Sequence, residues 1–263
     1  MSEKYFIETL PIRISDFTDR QLQAEVAKRG FLTPNGKGNE NGFLNKMLPN
    51  MLKYREYKKG HLREYLERTV KHTLNSAMQE KILDFLAESF DYCYFDQKEY
   101  FLESTINIRF DVKNANLYAE LFSRLEDNGI KKSAYIRNLI AEYCRLPEHE
   151  KDRICFEQEF LALDEACAEG LVLQLKYNNQ RYTLIAQALE FSFQSEHWHF
   201  IATDYTEYSK LYSIPLYKIQ DVLLLKNKKY NMPDRYADEI HALIDSGRFA
   251  DKESFCVGGR ENG

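Results

Sequence analysis

The chain is poor in the features that place a protein in a membrane or build it around covalent staples. No apolar run approaches the roughly 20 residues that a membrane-spanning helix requires; the stretch 222–225, four residues long, is among the longest. Glu3, Lys4 and Glu8 interrupt the start, where a secretory leader would carry its apolar core. Five cysteines (Cys93, Cys144, Cys155, Cys167 and Cys256) are odd in number, scattered, and contain no CxxC pair. They argue against a disulfide framework and for reduced thiols in a cytoplasm. Catalytic signatures are missing as well: there is no GxSxG, HExxH, P-loop or GxGxxG followed by a strand-helix frame. Gly36, Lys37 and Gly38 form a loop with too little around it to cradle a nucleotide. Asp164 and Glu165 adjoin on a helix without sharing a face. The expectation is a protein without catalytic activity, cofactor, metal or membrane partner.

What is present is an uneven distribution of charge. The net charge is −5, which disfavours a polyanionic partner until it is divided along the chain. Residues 1–60 carry 11 Lys and Arg against 7 Asp and Glu, and residues 104–146 carry 7 against 5. The segment 61–103 is acidic, with 5 against 9, and so is 147–263, with 13 against 20. Phosphate binding depends on a local basic face rather than on the sum, so the two basic blocks are the places to look.

Both blocks have the same order of elements. In the second, Ile106, Ile108 and Phe110 alternate with Thr105, Asn107 and Arg109, which is a half-buried strand. Leu117, Leu121, Phe122 and Leu125 follow at helical spacing, and Asn128-Gly129 reverses the chain. Ser133 can cap a further helix whose apolar face is Ile136, Leu139, Ile140 and Tyr143. In the first block Leu10, Ile12 and Ile14 alternate with Thr9, Pro11 and Arg13. Asp16 or Thr18 can cap a helix carrying Leu22, Val26 and Ala27 that ends at Gly30. A Gly/Asn-rich loop at 34–42 leads into a helical segment, 43–57, which Pro49 should kink or confine to a first turn. Strand, helix, turn, helix resembles the ribbon-helix-helix family, and its repetition implies an internal duplication. In that family two strands pair as a ribbon in the DNA major groove. The resemblance therefore implies base contacts from Thr105, Asn107, Arg109 and Arg13. Lys131, Lys132 and Ser133 would face phosphate at a helix start.

Between the blocks, 61–103 reads as a helical connector with two amphipathic segments, one on Leu62, Leu66, Thr69 and Val70 and one on Ile82, Leu83, Leu86 and Phe90. Pro147 is the sharpest boundary. Beyond it Phe156, Phe160, Leu161 and Leu163 predict a helix running to Gly170, and then the period changes to two. Strands are expected over 171–177, 181–186, 189–193, 197–203, 211–216 and 219–225, a set that suggests a small closed barrel. A helix over 237–244 and a Gly-rich end complete a C-terminal region, 231–263.

From about Glu159 to Tyr230 the pattern is a helix, a strand ending in Tyr177, then Arg181, Trp198-His199-Phe200-Ile201-Ala202 and Ile214-Pro215-Leu216-Tyr217-Lys218-Ile219. It resembles the WYL domain, a small Sm/SH3-like barrel of prokaryotic regulators. The name-giving triplet is Trp-His-Phe in this chain, and the family's late arginine is Lys218. The resemblance implies a groove for an anionic ligand or nucleic acid formed by Tyr177, Arg181, His199 and Lys218. Trp198, with Phe200 and Ala202 on its side of the strand, reads as core. The run Lys226, Lys228, Lys229 reads as a soluble strand exit. His197 and His199 share a face, but no third metal ligand is positioned beside them.

The sequence therefore predicts an α+β protein, an α-rich ribbon-helix-helix-like half (1–60, 61–103, 104–146) followed by a WYL-type barrel (147–230). Its expected function is nucleic-acid-binding regulation, first as a DNA-binding transcriptional regulator. The alternative is a single-stranded-RNA-binding accessory protein, because a WYL domain preceded by ribbon-helix-helix also resembles the accessory proteins of type VI-D CRISPR systems. That alternative makes a CRISPR effector a possible partner. A homodimer is expected if the two ribbon strands come from different chains. A protein-interaction scaffold is the third class.

Overall fold

The computed structural model describes residues 9–70, 78, 81–82, 102–228, 230 and 234–256. The chain divides into two compact units, 1–145 and 146–263. Among the described residues there are seven α-helices and two antiparallel sheets, an α+β arrangement.

The first unit contains β1 (Thr9–Ile14), α1 (Asp16–Lys28), α2 (Glu40–Val70), β2 (Ser104–Arg109), α3 (Ala115–Asp127) and α4 (Lys132–Arg145). The two strands pair with each other, antiparallel and in register over six residues, from Thr9 opposite Arg109 to Ile14 opposite Ser104. The ribbon is thus built within one chain and needs no second copy to form. Its inner face carries Ile12, Ile14, Ile106 and Ile108, all buried. Each such side chain contributes roughly 2 kcal/mol when taken out of water, and α4 covers β1 while α2 covers β2.

Several local expectations are corrected. The cap of α1 is Ser15, whose hydroxyl accepts from the Thr18 amide at 3.2 Å, and not Asp16 or Thr18. Ala27 is exposed; Glu25 turns inward instead, 2.8 Å from Arg29 and within 3.3 Å of the Tyr143 hydroxyl that donates to it. Helix α2 runs through Pro49 without a break. A proline inside a helix costs about 3 kcal/mol, but Phe43, Leu44, Met47, Leu48 and Met51 are all fully buried, and their burial exceeds that cost. Helix α4 already begins at Lys132, so Ser133 lies in its first turn rather than before it. On α3 the buried position falls to Tyr118, while Leu117 is 37% exposed. The second connector helix falls mostly outside the described residues.

The second unit contains α5 (Glu148–Cys155), α6 (Glu157–Glu169), β3 (Val172–Tyr177), β4 (Gln180–Ser192), β5 (His197–Asp204), β6 (Lys210–Pro215), β7 (Gln220–Leu224), α7 (Asp234–Asp245) and β8 (Ser254–Cys256). The spatial order of the sheet is β7-β3-β4-β5-β6-β8. Asn178 and Asn179 have φ of 47° and 63°, the left-handed pair that a two-residue hairpin loop demands. The stretch 180–192 is one strand and not two, bulged between Ala186 and Ala188.

The expected barrel does not close. β6 and β7 stand four strand spacings apart, about 19 Å in a flat sheet, yet only residues 216–219 join them. That link reaches at most about 17 Å fully extended, and Leu216–Lys218 is a 3-10 turn that shortens it further. The sheet must therefore curl, helped by bulges in β7 and β4. β6 and β7 form no ladder with one another, and the free edge of β6 is taken by β8, with Leu211 opposite Phe255. This strand lies in a stretch where the sequence predicted only a helix and a loose tail. Ile240 of α7 and Phe249 pack on Ile201 and Leu211 and hold that last segment to the sheet.

Candidate nucleic-acid interface

The alternation that buries the isoleucines of the ribbon sends Thr9, Pro11 and Arg13 of β1 and Thr105, Asn107 and Arg109 of β2 outward, and all six are exposed. They form three cross-strand pairs: Thr9 with Arg109, Pro11 with Asn107, and Arg13 with Thr105. This face carries two cations and no carboxylate. The four residues singled out on the strands, Arg13, Thr105, Asn107 and Arg109, are thereby brought onto one surface.

Two-fold pseudosymmetry organises that surface. Rotation about the centre of the Pro11–Asn107 pair exchanges Thr9 with Thr105 and Arg13 with Arg109. The helices behind obey the same relation. α1 and α3 are each 13 residues long. Each is followed at the second position by a glycine with φ near +70°, Gly30 and Gly129. In each, the next amide returns to the third-last helical carbonyl: Phe31 to Val26 at 3.0 Å, and Ile130 to Leu125 at 2.8 Å. The sixth residue of each following helix then holds the carbonyl of an outward arginine on the strand from the other half. Asn45 of α2 donates to the Arg109 carbonyl at 2.8 Å, and Arg137 of α4 donates to the Arg13 carbonyl at 3.4 Å. Asn45 is buried and also accepts from the Asp111 amide at 2.8 Å, while Asn41 accepts from the Arg109 amide at 2.9 Å. These clamps fix where the two arginines leave the backbone. The symmetry is broken at the tips, because the Arg13 guanidinium donates to the Leu102 carbonyl.

Sequence reasoning missed Asn45 and Arg137. Each sits on the polar side of a helical pattern, and nothing local links it to a strand 64 or 124 residues away. Lys131 is exposed at the start of α4, and Lys132 lies over the Phe122 ring, 5.1 Å from its centroid.

In the second unit the four groove residues are distributed differently. Lys218 lies 2.7 Å from the Glu253 carboxylate. That carboxyl is held below its ordinary range chiefly by Lys218, whereas the buried Tyr177 hydroxyl makes no hydrogen bond among the described residues. Tyr177 itself is 4% exposed, and burial raises its pKa above the ordinary phenol value. His199 is buried, with one ring nitrogen 2.9 Å from the Ser195 hydroxyl and the other 3.1 Å from the Ser213 hydroxyl. Burial, with His197 adding to it, pushes its pKa down to about 4, so the ring is neutral at pH 7 and offers hydrogen bonds rather than charge. Arg181 stays apart, exposed and 4.0 Å from Asp221. Lys226 pairs with Glu165. Glu253 lies 35 residues after Lys218, on a segment with no strand signal of its own, so nothing in the sequence pointed to it.

Trp198 is half-buried against Phe160 and Phe191, and its indole N–H donates to the His149 carbonyl at 3.2 Å. His197 is paired with the buried Asp152 at 2.7 Å. Cys144, Cys155, Cys167 and Cys256 form no disulfide. No described helix is long and apolar enough to cross a membrane.

No protein-family model matches the chain, and no curated protein matches it. Among solved structures it is similar to a CRISPR Cas-related protein, with a TM-score of 0.67 and 12% sequence identity. The match covers 91% of this chain and 71% of that one. At that identity the likeness is one of fold.

Proposed function

We infer that the chain is a nucleic-acid-binding regulatory protein of the cytoplasm, without catalytic activity, that works beside a CRISPR system. The observation that carries this reading is the ribbon: six exposed side chains, two of them arginine and none acidic, on two strands held from behind by helices. A two-stranded ribbon fits the major groove of duplex DNA, where arginine pairs with guanine and asparagine with adenine through two hydrogen bonds each. In this reading the first unit acts as a ribbon-helix-helix domain and the curled sheet as a WYL-type regulatory domain. Lys131 and Lys132 supply phosphate contacts. A homodimer, if it forms, brings two complete ribbons rather than sharing one. The CRISPR setting rests on the similar solved structure.

The second reading is an accessory protein that holds single-stranded RNA in the second unit and modulates a CRISPR effector. The same structural likeness favours it. Fluorescence anisotropy with a duplex DNA library and with single-stranded RNA separates the two. For the ribbon, Arg109→Ala and Asn107→Ala each weaken duplex binding by about 1–3 kcal/mol and relax the base preference, while Lys218→Ala leaves it unchanged. If Arg181→Ala and Lys218→Ala instead abolish RNA binding, the second reading replaces the first. Binding to neither polymer at low salt overturns both and leaves a protein-interaction scaffold.

A further inference from the structure

Proteins that bind DNA with exact two-fold symmetry select palindromes, because operator symmetry mirrors protein symmetry. Here the symmetry is internal to one chain and inexact, and the place where it fails is specific. Thr9 matches Thr105 and Arg13 matches Arg109, but at the dyad itself Pro11 faces Asn107. Asparagine presents an amide that pairs with adenine on two points. Proline presents a ring with no donor or acceptor.

We propose that one chain reads a single duplex site that is two-fold symmetric at its flanks and lopsided at its centre, with Asn107 as the residue that sets the central preference. Arg13 and Arg109 each take a guanine, on opposite DNA strands. They stand four residues apart along the ribbon axis, about 13 Å, which corresponds to about four base-pair steps. Asn107 takes an adenine beside the dyad on one DNA strand, and no group answers it from the Pro11 side. Arg13 exchanges its bond to the Leu102 carbonyl for the base, so the Arg109 flank is the more strongly selected of the two. The clamps from Asn45 and Arg137 keep both arginines in register with the dyad.

The inference rests on the ribbon as a duplex-binding surface, and the test keeps the two apart. The full-length chain is used to enrich bound sequences from duplexes with a randomised core. Wild type should return two guanines on opposite strands, about four steps apart, with an adenine preference on one side of the centre only. Asn107→Ala should erase the central preference, about tenfold in relative affinity, and keep the flanks. Pro11→Asn should make the centre symmetric. Pro11→Ala, the control for restoring a backbone N–H, should leave it lopsided; matching circular dichroism melts guard against misfolded variants. A central preference that survives Asn107→Ala, while Arg109→Ala still erases a flank, overturns the assignment of the dyad alone. Failure to enrich any duplex sequence overturns the duplex-binding reading and this inference with it.

Discussion

At the scale of single residues, His199 shows how burial converts a titratable side chain into part of the packing. Two serine hydroxyls satisfy its ring, and burial holds its pKa near 4 against an ordinary value of 6.5. The unfolded chain therefore takes up this proton at a higher pH than the folded chain does. Stability from this group is complete above pH 6.5 and falls as the pH drops toward 4, by about 3 kcal/mol at the limit. Urea unfolding at pH 7.5 and 4.5 should show that loss in wild type and a smaller one in His199→Gln; equal losses would rule the account out. The pair Arg55 and Glu142 makes a second residue-scale prediction. Their side chains approach to 2.6 Å and are 3% and 17% exposed, and Arg55 also donates to the Tyr135 hydroxyl at 3.3 Å. Glu142→Ala leaves a buried guanidinium without its carboxylate and should cost about 3 kcal/mol of unfolding free energy. The sequence marked neither residue, since Arg and Glu on helices are ordinarily solvated and only the fold brings these two together across 87 residues.

At the scale of elements, the ribbon was half legible. The period-two alternation of Ile106, Ile108 and Phe110 against Thr105, Asn107 and Arg109 identifies a strand and its outward face, because neighbouring side chains on a strand must point to opposite sides. It does not identify the partner strand, which lies about 95 residues earlier, and so it left the ribbon open to pairing between chains. The clamp by Asn45 came only with the structure. Asn45→Ala removes the groups that satisfy the Arg109 carbonyl and the Asp111 amide, and should lower stability by about 2 kcal/mol. It should also loosen the ribbon, with faster hydrogen exchange at the Arg109 and Asp111 amides than in wild type. Unchanged exchange at both would show that α2 does not fix the strand. Pro49 illustrates the opposite case, where a local rule allowed a proline only in a first turn or at a kink, and the helix continues past it with five neighbouring side chains buried.

At the scale of the whole molecule, the two units can be followed separately. The single tryptophan, Trp198, packs on Phe160 and Phe191 in the second unit, whereas the first unit is rich in helix. Glu142→Ala should therefore lower the transition seen by circular dichroism at 222 nm (a helix signal) and leave the Trp198 fluorescence transition in place. Coincident shifts would mean that the units unfold as one. The sequence by itself determined the mix of helix and strand in each half, the outward and inward faces of the two ribbon strands and the placement of basic charge, because these follow from local periodicity and composition. Tertiary structure decided the rest: that β1 and β2 pair within one chain, that β8 takes the edge a closed barrel would use, and that Glu253 sits on Lys218. Each of these joins residues far apart in the chain, and the free energy that selects such a contact belongs to the packed whole and is written in no single segment.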